Sequence, residues 1–176
     1  MKFTPTPLSG LYIIELEKNG DPRGFFARAY DDQEFKKLGL NSRLVQGNIF
    51  RSQEKGTLRG MLYQTSPYAE AKLIRCTRGA LYDVVIDLRP DSPTYKKWFG
   101  VELTADNHKQ VYVPEGFAHG FITLEDNTEA FYLVSEYYNP EAEKGVRFND
   151  PAFQIKWPIP VKATSDKDKS WPDFRG

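Results

Sequence analysis

Cysteine and histidine are almost absent from this sequence. Its 176 residues include one cysteine, Cys76, and two histidines, His108 and His119. A single cysteine cannot form an internal disulfide, which favours a reducing compartment, the cytoplasm. Metal sites in such domains usually draw on two or three histidines together with a carboxylate, so a site built from His119 and acidic residues is disfavoured. We expect no bound metal and no other cofactor.

Other common signatures are missing too. The sequence contains no glycine-rich phosphate loop, no Cys-x-x-Cys pair and no His-Glu-x-x-His motif. No apolar run approaches the roughly 18 residues that a membrane span requires, and the first ten residues lack the apolar core of a secretion signal. Basic and acidic residues each number 24, so the net charge is zero, which argues against nucleic acid and membranes as partners. We expect residues 1–176 to form one cytoplasmic domain.

Segments typical of β-strands dominate what the sequence does contain. Seven of them are rich in β-branched and aromatic residues, and several alternate with the period of two expected of a half-buried strand. Turn-forming residues separate them at intervals of about 8–12 residues, which indicates an antiparallel sandwich or small barrel. The predicted strands are 11–16, 57–64, 71–77, 80–88, 98–104, 110–113 and 129–138.

One helix is predicted in the N-terminal half of the chain. Asp31 or Asp32 is a suitable N-cap for it. Phe35 and Leu38 would share its apolar face, and Gly39 would end it. The segment after residue 139 is rich in proline and polar residues, so we expect an ordered C-terminal tail that packs on the barrel.

Several polar side chains interrupt the apolar segments. Arg59, Lys72 and Asp83 each lie within a predicted strand, and so does Tyr132. His119 lies in the small-residue string Gly-Phe-Ala-His-Gly-Phe. One charged residue on a strand ordinarily faces solvent, but several in one small barrel indicate a polar interior. An interior with arginine, lysine, histidine and tyrosine suits an anionic small molecule.

These residues belong to short motifs that occur along almost the whole chain. The motifs are Asp21-Pro-Arg-Gly-Phe-Phe, Gln46-Gly-Asn48, Gly56-Thr-Leu-Arg-Gly, Ala71-Lys-Leu, Tyr82-Asp-Val-Val-Ile-Asp-Leu-Arg, Asp91-Ser-Pro-Thr-Tyr, Val113-Pro-Glu-Gly-Phe-Ala-His-Gly-Phe and Ser165-Asp-Lys-Asp. In them the sequence resembles the nucleotide-sugar epimerases typified by dTDP-4-dehydrorhamnose 3,5-epimerase, a cupin-like family that needs no metal. The resemblance implies an all-β, cupin-like jelly-roll barrel and a homodimer. It also implies a nucleoside-diphosphate 4-keto-6-deoxy sugar as substrate, in the biosynthesis of deoxysugars for surface polysaccharides such as lipopolysaccharide O-antigen.

The resemblance further implies epimerisation through an enolate. A ketone at C4 acidifies the protons on C3 and C5, a base removes one of them, and an acid returns a proton on the opposite face. Lys72 would stabilise the enolate oxygen, and Tyr132 would be the acid. Arg23, Arg59 and His119 would hold the diphosphate and sugar, and Phe26 and Gln46 would contact the nucleotide or sugar. Tyr138 is a further candidate for the nucleotide site, with a role in packing as the alternative.

Position 62 departs from the family pattern. The family motif places the catalytic base, a histidine, where this sequence has Leu62, and leucine cannot accept a proton. By the same resemblance, the carboxylate that would orient the histidine is Asp168, with Asp166 as the alternative. Loss of a general base typically lowers a rate by about 10² to 10⁴-fold.

Three interpretations of Leu62 are open. In the first, the protein epimerises its substrate at C3, C5 or both, with Tyr132, His119 or a water molecule replacing the base; we favour activity at a single carbon, C3 in particular. In the second, it is a catalytically silent paralogue that binds sugar nucleotides. In the third, Leu62 is an engineered substitution in an otherwise ordinary enzyme. An enzyme is favoured because a silent protein has little chemical reason to keep Lys72 and Tyr132.

A second departure concerns the nucleotide. The family usually carries a glutamate two residues after Phe26, where this sequence has Arg28. If Arg28 contacts the nucleotide, a cytidine or guanosine diphosphate sugar fits as well as a thymidine one. If it faces solvent, the substitution has no bearing on the substrate.

Overall fold

Short strands make up most of the regular structure of the protein. The computed structural model describes all 176 residues. The strands are β1 (Lys2–Pro5), β2 (Tyr12–Glu15), β3 (Asn19–Asp21), β4 (Gly24–Phe26), β5 (Gln46–Ser52), β6 (Leu58–Gln64), β7 (Lys72–Arg78), β8 (Ala80–Asp87), β9 (Trp98–Thr104), β10 (Gln110–Val113), β11 (Phe117–Thr123), β12 (Thr128–Val134) and β13 (Glu143–Gly145). The helices are α1 (Asp32–Lys37) and α2 (Asp166–Lys169). No helix is both long and apolar enough to span a bilayer.

The strands form two antiparallel sheets and one hairpin. The six-stranded sheet has the order β1-β2-β10-β7-β12-β5, and the five-stranded sheet has the order β13-β6-β11-β8-β9. The β3–β4 hairpin stands apart from both sheets. Many neighbouring strands are distant in sequence, as in a jelly roll. The predicted all-β jelly-roll class is therefore confirmed.

The main hydrophobic core lies between the two sheets. It contains Ile74 and Cys76 of β7 from one sheet and Leu81 of β8 from the other. Because side chains alternate along a strand, Lys72 and Asp83 lie on these same inward faces. The fold therefore directs charged side chains into the space between the sheets.

Segments outside the sheets cover the two outer faces. On the six-stranded sheet, Phe35 of α1 packs against Tyr112 of β10, with ring centroids 5.6 Å apart. On the five-stranded sheet, Phe153 of the C-terminal tail packs in one cluster with Met61 and Val84. The tail therefore lies on the barrel as predicted. Because each sheet also faces the main core on its inner side, both of its faces are apolar over part of their length.

The predicted helix and seven strands are present, and six further strands were not predicted. The helix begins after the N-cap Asp31, and Gly39 follows it in the left-handed region at φ 69°. Strand 129–138 is shorter than predicted and ends at Val134. The missed strands are β1, β3, β4, β5, β11 and β13. Strand β11 is buried along its whole length, so it lacks the polar–apolar alternation that identifies a strand in a sequence.

Candidate active site

A polar cavity lies between the two sheets. Its inner part is lined by Phe50, Arg59, Gly60, Leu62, Lys72, His119, Gly120, Phe121 and Tyr132. It continues into an outer part of about 500 Å³, which shares five of these residues and is also lined by Lys167 and Asp168. The structure therefore brings most of the predicted catalytic residues together.

The six-stranded sheet contributes a lysine and a tyrosine to the cavity. Lys72 begins β7, and its buried Nζ lies 3.1 Å from Glu70 Oε1. Tyr132 lies on the adjacent strand β12, where burial, and then the charge of Glu70, raises the pKa of its hydroxyl. Tyr132 therefore keeps its proton at neutral pH and can act as a proton donor.

The five-stranded sheet forms the opposite wall and carries a buried histidine–aspartate pair. His119 Nε2 on β11 lies 2.7 Å from Asp83 Oδ2 on β8. The exposed fraction is 8% for His119 and 1% for Asp83, and Asp83 Oδ1 has no hydrogen-bond partner. Leu62 of β6 is paired directly with His119 across the two strands. An imidazole and an aliphatic side chain thus lie side by side on this wall.

Close contact between β6 and β11 positions these side chains. Gly60 has φ 99°, and a Cβ atom there would lie 2.6 Å from the His119 carbonyl oxygen. The pairing register shifts between His119 and Phe121. Such an irregularity changes which face a side chain occupies, and it accounts for Arg59 and Leu62 both lining the cavity although they are three residues apart.

Arg59 is held against strand β5 with part of its guanidinium free. Its Nε donates to Ser52 Oγ at 3.1 Å, and its Nη2 donates to the Arg51 carbonyl oxygen at 3.2 Å. The guanidinium carbon also lies 5.8 Å from the centroid of the Phe50 ring. An arginine has five N–H donors, so the remaining ones are available to an anion in the cavity.

Asp168 lies in the outer part of the cavity on α2. Ser165 caps this helical turn, and its Oγ accepts a hydrogen bond from the Asp168 N–H at 3.0 Å. Asp168 Oδ2 accepts one from the Gly60 N–H at 3.2 Å, which attaches the carboxylate to β6, the strand of Leu62. Asp168 is 6% exposed, whereas Asp166 is fully exposed. Of the two acids considered, Asp168 is the one that faces the cavity.

Gln46 and Tyr138 are hydrogen-bonded to each other, and Glu143 links Tyr138 to Lys167 in the outer part of the cavity. Gln46 Oε1 accepts a hydrogen bond from the Tyr138 backbone N–H at 2.8 Å. The Tyr138 hydroxyl donates to Glu143 Oε2 at 2.7 Å, and this bond raises the pKa of the hydroxyl. Lys167 pairs with the other Glu143 oxygen. The Tyr138 ring itself is exposed.

Arg23 and Phe26 lie away from the cavity. Both belong to the β3–β4 hairpin; the Arg23 side chain is 90% exposed and pairs with Asp21 at 2.6 Å, and Phe26 is also exposed. Within one chain the structure does not bring them near Arg59. Arg28 is exposed as well and lines a different surface pocket.

Four polar residues around the site were not predicted from the sequence. They are the partners of predicted residues: Ser52, Glu70, Glu143 and Lys167. Glu70 stands two residues before Lys72, and this proximity is a signal that could have identified it. The other three become neighbours of the site only through strand pairing and the path of the tail.

Comparison with known proteins agrees with this architecture. The family profile described as dTDP-4-dehydrorhamnose 3,5-epimerase matches residues 5–176. The dTDP-4-dehydrorhamnose 3,5-epimerase of Sinorhizobium fredii is 42% identical over 175 residues, which cover 99% of this chain and 90% of the relative. The crystal structure of dTDP-4-dehydrorhamnose 3,5-epimerase from Elizabethkingia anophelis superposes with a TM-score of 0.96 at 44% identity, covering 99% of this chain and 96% of that one.

A third similar protein acts at a single carbon. ChmJ, a 3'-monoepimerase from Streptomyces bikiniensis with a structure in complex with dTDP-quinovose, superposes with a TM-score of 0.88 at 32% identity, covering 96% of this chain and 86% of that one. The family profile and the relatives confirm the resemblance seen in the sequence motifs. This chain belongs to the dTDP-4-dehydrorhamnose 3,5-epimerase family and is a sugar epimerase of the isomerase class.

Proposed function

We propose that the protein epimerises a nucleoside-diphosphate 4-keto-6-deoxy sugar at one carbon through an enolate, and that residues 1–176 form the single domain that does so. The observation that carries this proposal is the cavity with Lys72 and Tyr132 on one wall and His119 on the other. Epimerisation requires a proton acceptor and a proton donor on opposite faces of the sugar, together with a positive group at the ketone oxygen.

Lys72 is the group that stabilises the enolate. When a C–H bond next to the ketone breaks, negative charge develops on the C4 oxygen, and a buried ammonium stabilises that charge more than water does. The 3.1 Å pairing with Glu70 holds the ammonium in place before the substrate arrives. Tyr132 returns a proton to carbon, because burial keeps its hydroxyl protonated at neutral pH.

Arg59 binds the diphosphate, and Gln46 and Tyr138 contact the nucleotide. The free donors of Arg59 form a planar fork that matches phosphate oxygens. The exposed Tyr138 ring, fixed by its bonds to Gln46 and Glu143, offers a surface on which a nucleotide base can stack. His119 contacts the sugar between the two walls.

A homodimer supplies the two hairpin residues. Exposed Phe25 and Phe26 of the hairpin, and Ile49 on the edge strand β5, favour contact with a second copy, because large apolar side chains and unpaired strand edges are usually covered. In the proposed dimer, Arg23 and Phe26 of one copy reach the cavity of the other. There they contact the nucleoside diphosphate.

Leu62 favours activity at a single carbon, in particular C3. C3 and C5 occupy different places around the ring. Leu62 leaves His119 as the one imidazole on the five-stranded wall, and its fixed position favours one of these carbons. The 3'-monoepimerase activity of the similar ChmJ supports C3. A catalytically silent protein that binds the sugar nucleotide is the alternative, since Leu62 cannot accept a proton.

Hydrogen exchange separates these two functions. The protein is incubated in D₂O with a dTDP-linked 4-keto-6-deoxyhexose, and with CDP- and GDP-linked analogues to identify the nucleotide. The C3 and C5 proton signals are followed by NMR. We expect loss of the C3 signal that depends on the protein. Binding of all three sugar nucleotides by calorimetry without exchange at either carbon would establish the silent alternative.

A further inference from the structure

We infer that His119, oriented by Asp83, is the base that removes the proton from carbon in this protein; the inference rests on the proposed epimerase function. Leu62 has no group that can accept a proton, so the acceptor must be another side chain of the cavity or a water molecule held by one. Among the side chains that line the cavity, Tyr132 is needed as the acid. His119 and Asp168 are then the acceptors to compare.

The placement of His119 meets the stereochemical requirement. Inversion needs the base and the acid on opposite faces of the sugar. Tyr132 belongs to β12 of the six-stranded sheet, and His119 belongs to β11 of the five-stranded sheet. Both line the inner cavity together with Lys72. A sugar ring between the two sheets therefore has the imidazole on one face and the phenol on the other.

The bond to Asp83 sets the form of the imidazole that a base requires. An ionised carboxylate can only accept hydrogen bonds, so Nε2 of His119 carries the hydrogen in the 2.7 Å contact and the lone pair resides on Nδ1. Asp83 also stabilises the imidazolium that forms when Nδ1 takes up a proton. Its buried second oxygen has no competing donor, which leaves its charge available for this purpose.

Asp168 is less suitably placed to act as the base. It lines the outer part of the cavity, whereas Lys72 and His119 line the inner part. One of its oxygens already accepts the Gly60 N–H. A proton acceptor must lie close to the carbon whose enolate Lys72 stabilises, and His119 shares the inner part of the cavity with Lys72.

The proposed step conserves atoms and charge. The C–H bond beside the ketone breaks, and its proton passes to Nδ1 of His119. Its electron pair forms the C=C bond of the enolate, while the carbonyl π pair moves to the C4 oxygen beside Lys72. Tyr132 then donates its hydroxyl proton to the same carbon from the opposite face. Exchange with solvent returns the imidazolium and the phenolate to their starting forms.

The first test replaces His119 with a side chain that keeps polarity but is not a base. His119→Asn should slow C–H exchange in D₂O by about 100-fold or more, because general base catalysis is worth that much. Binding of dTDP should stay within about threefold of wild type, because dTDP lacks the sugar that His119 contacts. His108→Asn is the matched control, since this other histidine lies just before β10 and outside the cavity lining. Its exchange rate should equal that of wild type.

A second test examines the role of Asp83 as a positioning residue. With two histidines in the chain, the ¹⁵N signals of both rings can be assigned by using His108→Asn. We expect His119 to carry its hydrogen on Nε2, and Asp83→Asn to change that tautomer and slow exchange by no more than His119→Asn does. A variant with an unchanged tautomer and an unchanged exchange rate would overturn the role of Asp83.

A rescue variant distinguishes the loss of a base in His119→Asn from a structural defect. Adding Leu62→His to His119→Asn returns an imidazole to the same wall, near Asp168. Exchange should rise at least about tenfold above the single variant, because the base is restored. Loss of the folded state or of dTDP binding in both variants would mean that His119 supports the fold or binding rather than accepting a proton, and would overturn the inference.

The failure of this inference differs from failure of the proposed function. Absence of exchange at both carbons in wild type, with binding intact, contradicts the epimerase function itself. Exchange in wild type that persists in His119→Asn but disappears in Asp168→Asn contradicts only the assignment of His119 and makes Asp168 the base. Asp166→Asn, an exposed neighbour on the same helix, is the control for Asp168.

Discussion

Strand β8 carries two buried aspartates whose surroundings differ. Asp87 ends the strand and accepts hydrogen bonds from Arg89, Ser92 and Thr94, at distances of 2.5–2.9 Å, so that both of its oxygens have partners. Asp83, four residues earlier, has one partner, His119, and one buried oxygen without any. The carboxylate of Asp87 is therefore saturated, in the sense that both of its oxygens accept hydrogen bonds. The carboxylate of Asp83, at the cavity, is unsaturated, because one of its oxygens accepts none.

The difference separates residues that hold the fold together from residues that carry the chemistry. A saturated carboxylate has no capacity left for a ligand or a proton transfer, and removing it leaves several donors unsatisfied. An unsaturated carboxylate beside an imidazole retains capacity to stabilise charge that appears during a reaction. Substitutions near Asp83 should change catalysis with little effect on stability, and substitutions at Asp87 should do the reverse.

The largest effect on catalysis is expected at Lys72. Lys72→Met keeps the length of the side chain and removes the charge that stabilises the enolate oxygen. We expect kcat to fall by about 10³-fold, because removal of one preorganised donor at a developing oxyanion has effects of that size. The measurement is steady-state epimerisation, with thermal unfolding as the check on the fold. A kcat within tenfold of wild type would show that Lys72 does not contact the enolate.

Tyr132→Phe should separate the two proton transfers. It removes the proposed acid but leaves the base, so inversion should fall by about 100-fold or more while exchange of the same C–H with D₂O continues. The comparison is made by NMR, with inversion and exchange read from one sample. Equal loss of both rates would contradict an acid role that is confined to the second step.

Leu62→His should add activity that wild type lacks. The new imidazole would lie near Asp168, which is attached to the same strand through Gly60. Exchange at the second carbon should rise by about tenfold or more, because a general base is supplied there. Leu62→Asn, a polar change without a basic nitrogen, is the control. An equal rise in the control would mean that polarity or space, rather than a base, limits wild type.

The smallest effect on catalysis is expected at Asp87, where stability should change instead. Asp87→Asn should lower the free energy of unfolding by about 2 kcal/mol, because it weakens buried charge-assisted hydrogen bonds. Chemical denaturation measures the change, and exchange at C3 should be as fast as in wild type. A loss of exchange in a folded variant would break the distinction drawn between the two aspartates.

Asp87 should also contribute to acid sensitivity. Burial opposes its ionisation, but the bonds from Arg89, Ser92 and Thr94 outweigh burial and lower its pKa. A folded-state pKa below the unfolded value stabilises the protein above the unfolded pKa, near 4, and this stabilisation is lost as the pH falls through the folded value. Stability measured from pH 6 downwards should therefore fall less steeply in Asp87→Asn than in wild type.

The sequence predicted the inward polar residues better than their partners. Lys72 and Tyr132 stand out because a charged or phenolic group interrupts an apolar strand, and alternation then places them between the sheets. The pairing of His119 with Asp83 depends on the register of β11 against β8, which the sequence does not display. The fully buried β11 gave no strand signal, so His119 was predicted to lie in the interior but the wall that carries it was not.

Arg59 and the β3–β4 hairpin show a second limit of prediction from the sequence. Regular alternation along β6 would place Arg59 and Leu62 on opposite faces, and only the observed register shift puts both in the cavity. Arg23 was predicted to share a site with Arg59, yet it lies on a separate hairpin within the chain. Local sequence patterns indicate individual strands. The positions of Arg59 and Arg23 depend instead on how strands pair and, in the proposed dimer, on how two copies of the chain contact each other.

The deuterium content of the sugar nucleotide after incubation in D₂O tests the central claim most directly. Mass spectrometry counts the deuterium atoms that the protein introduces, relative to a sample without protein. One deuterium per molecule is predicted, because the protein is proposed to act at a single carbon. No deuterium, with binding intact, would contradict the epimerase function, and two would contradict activity at a single carbon.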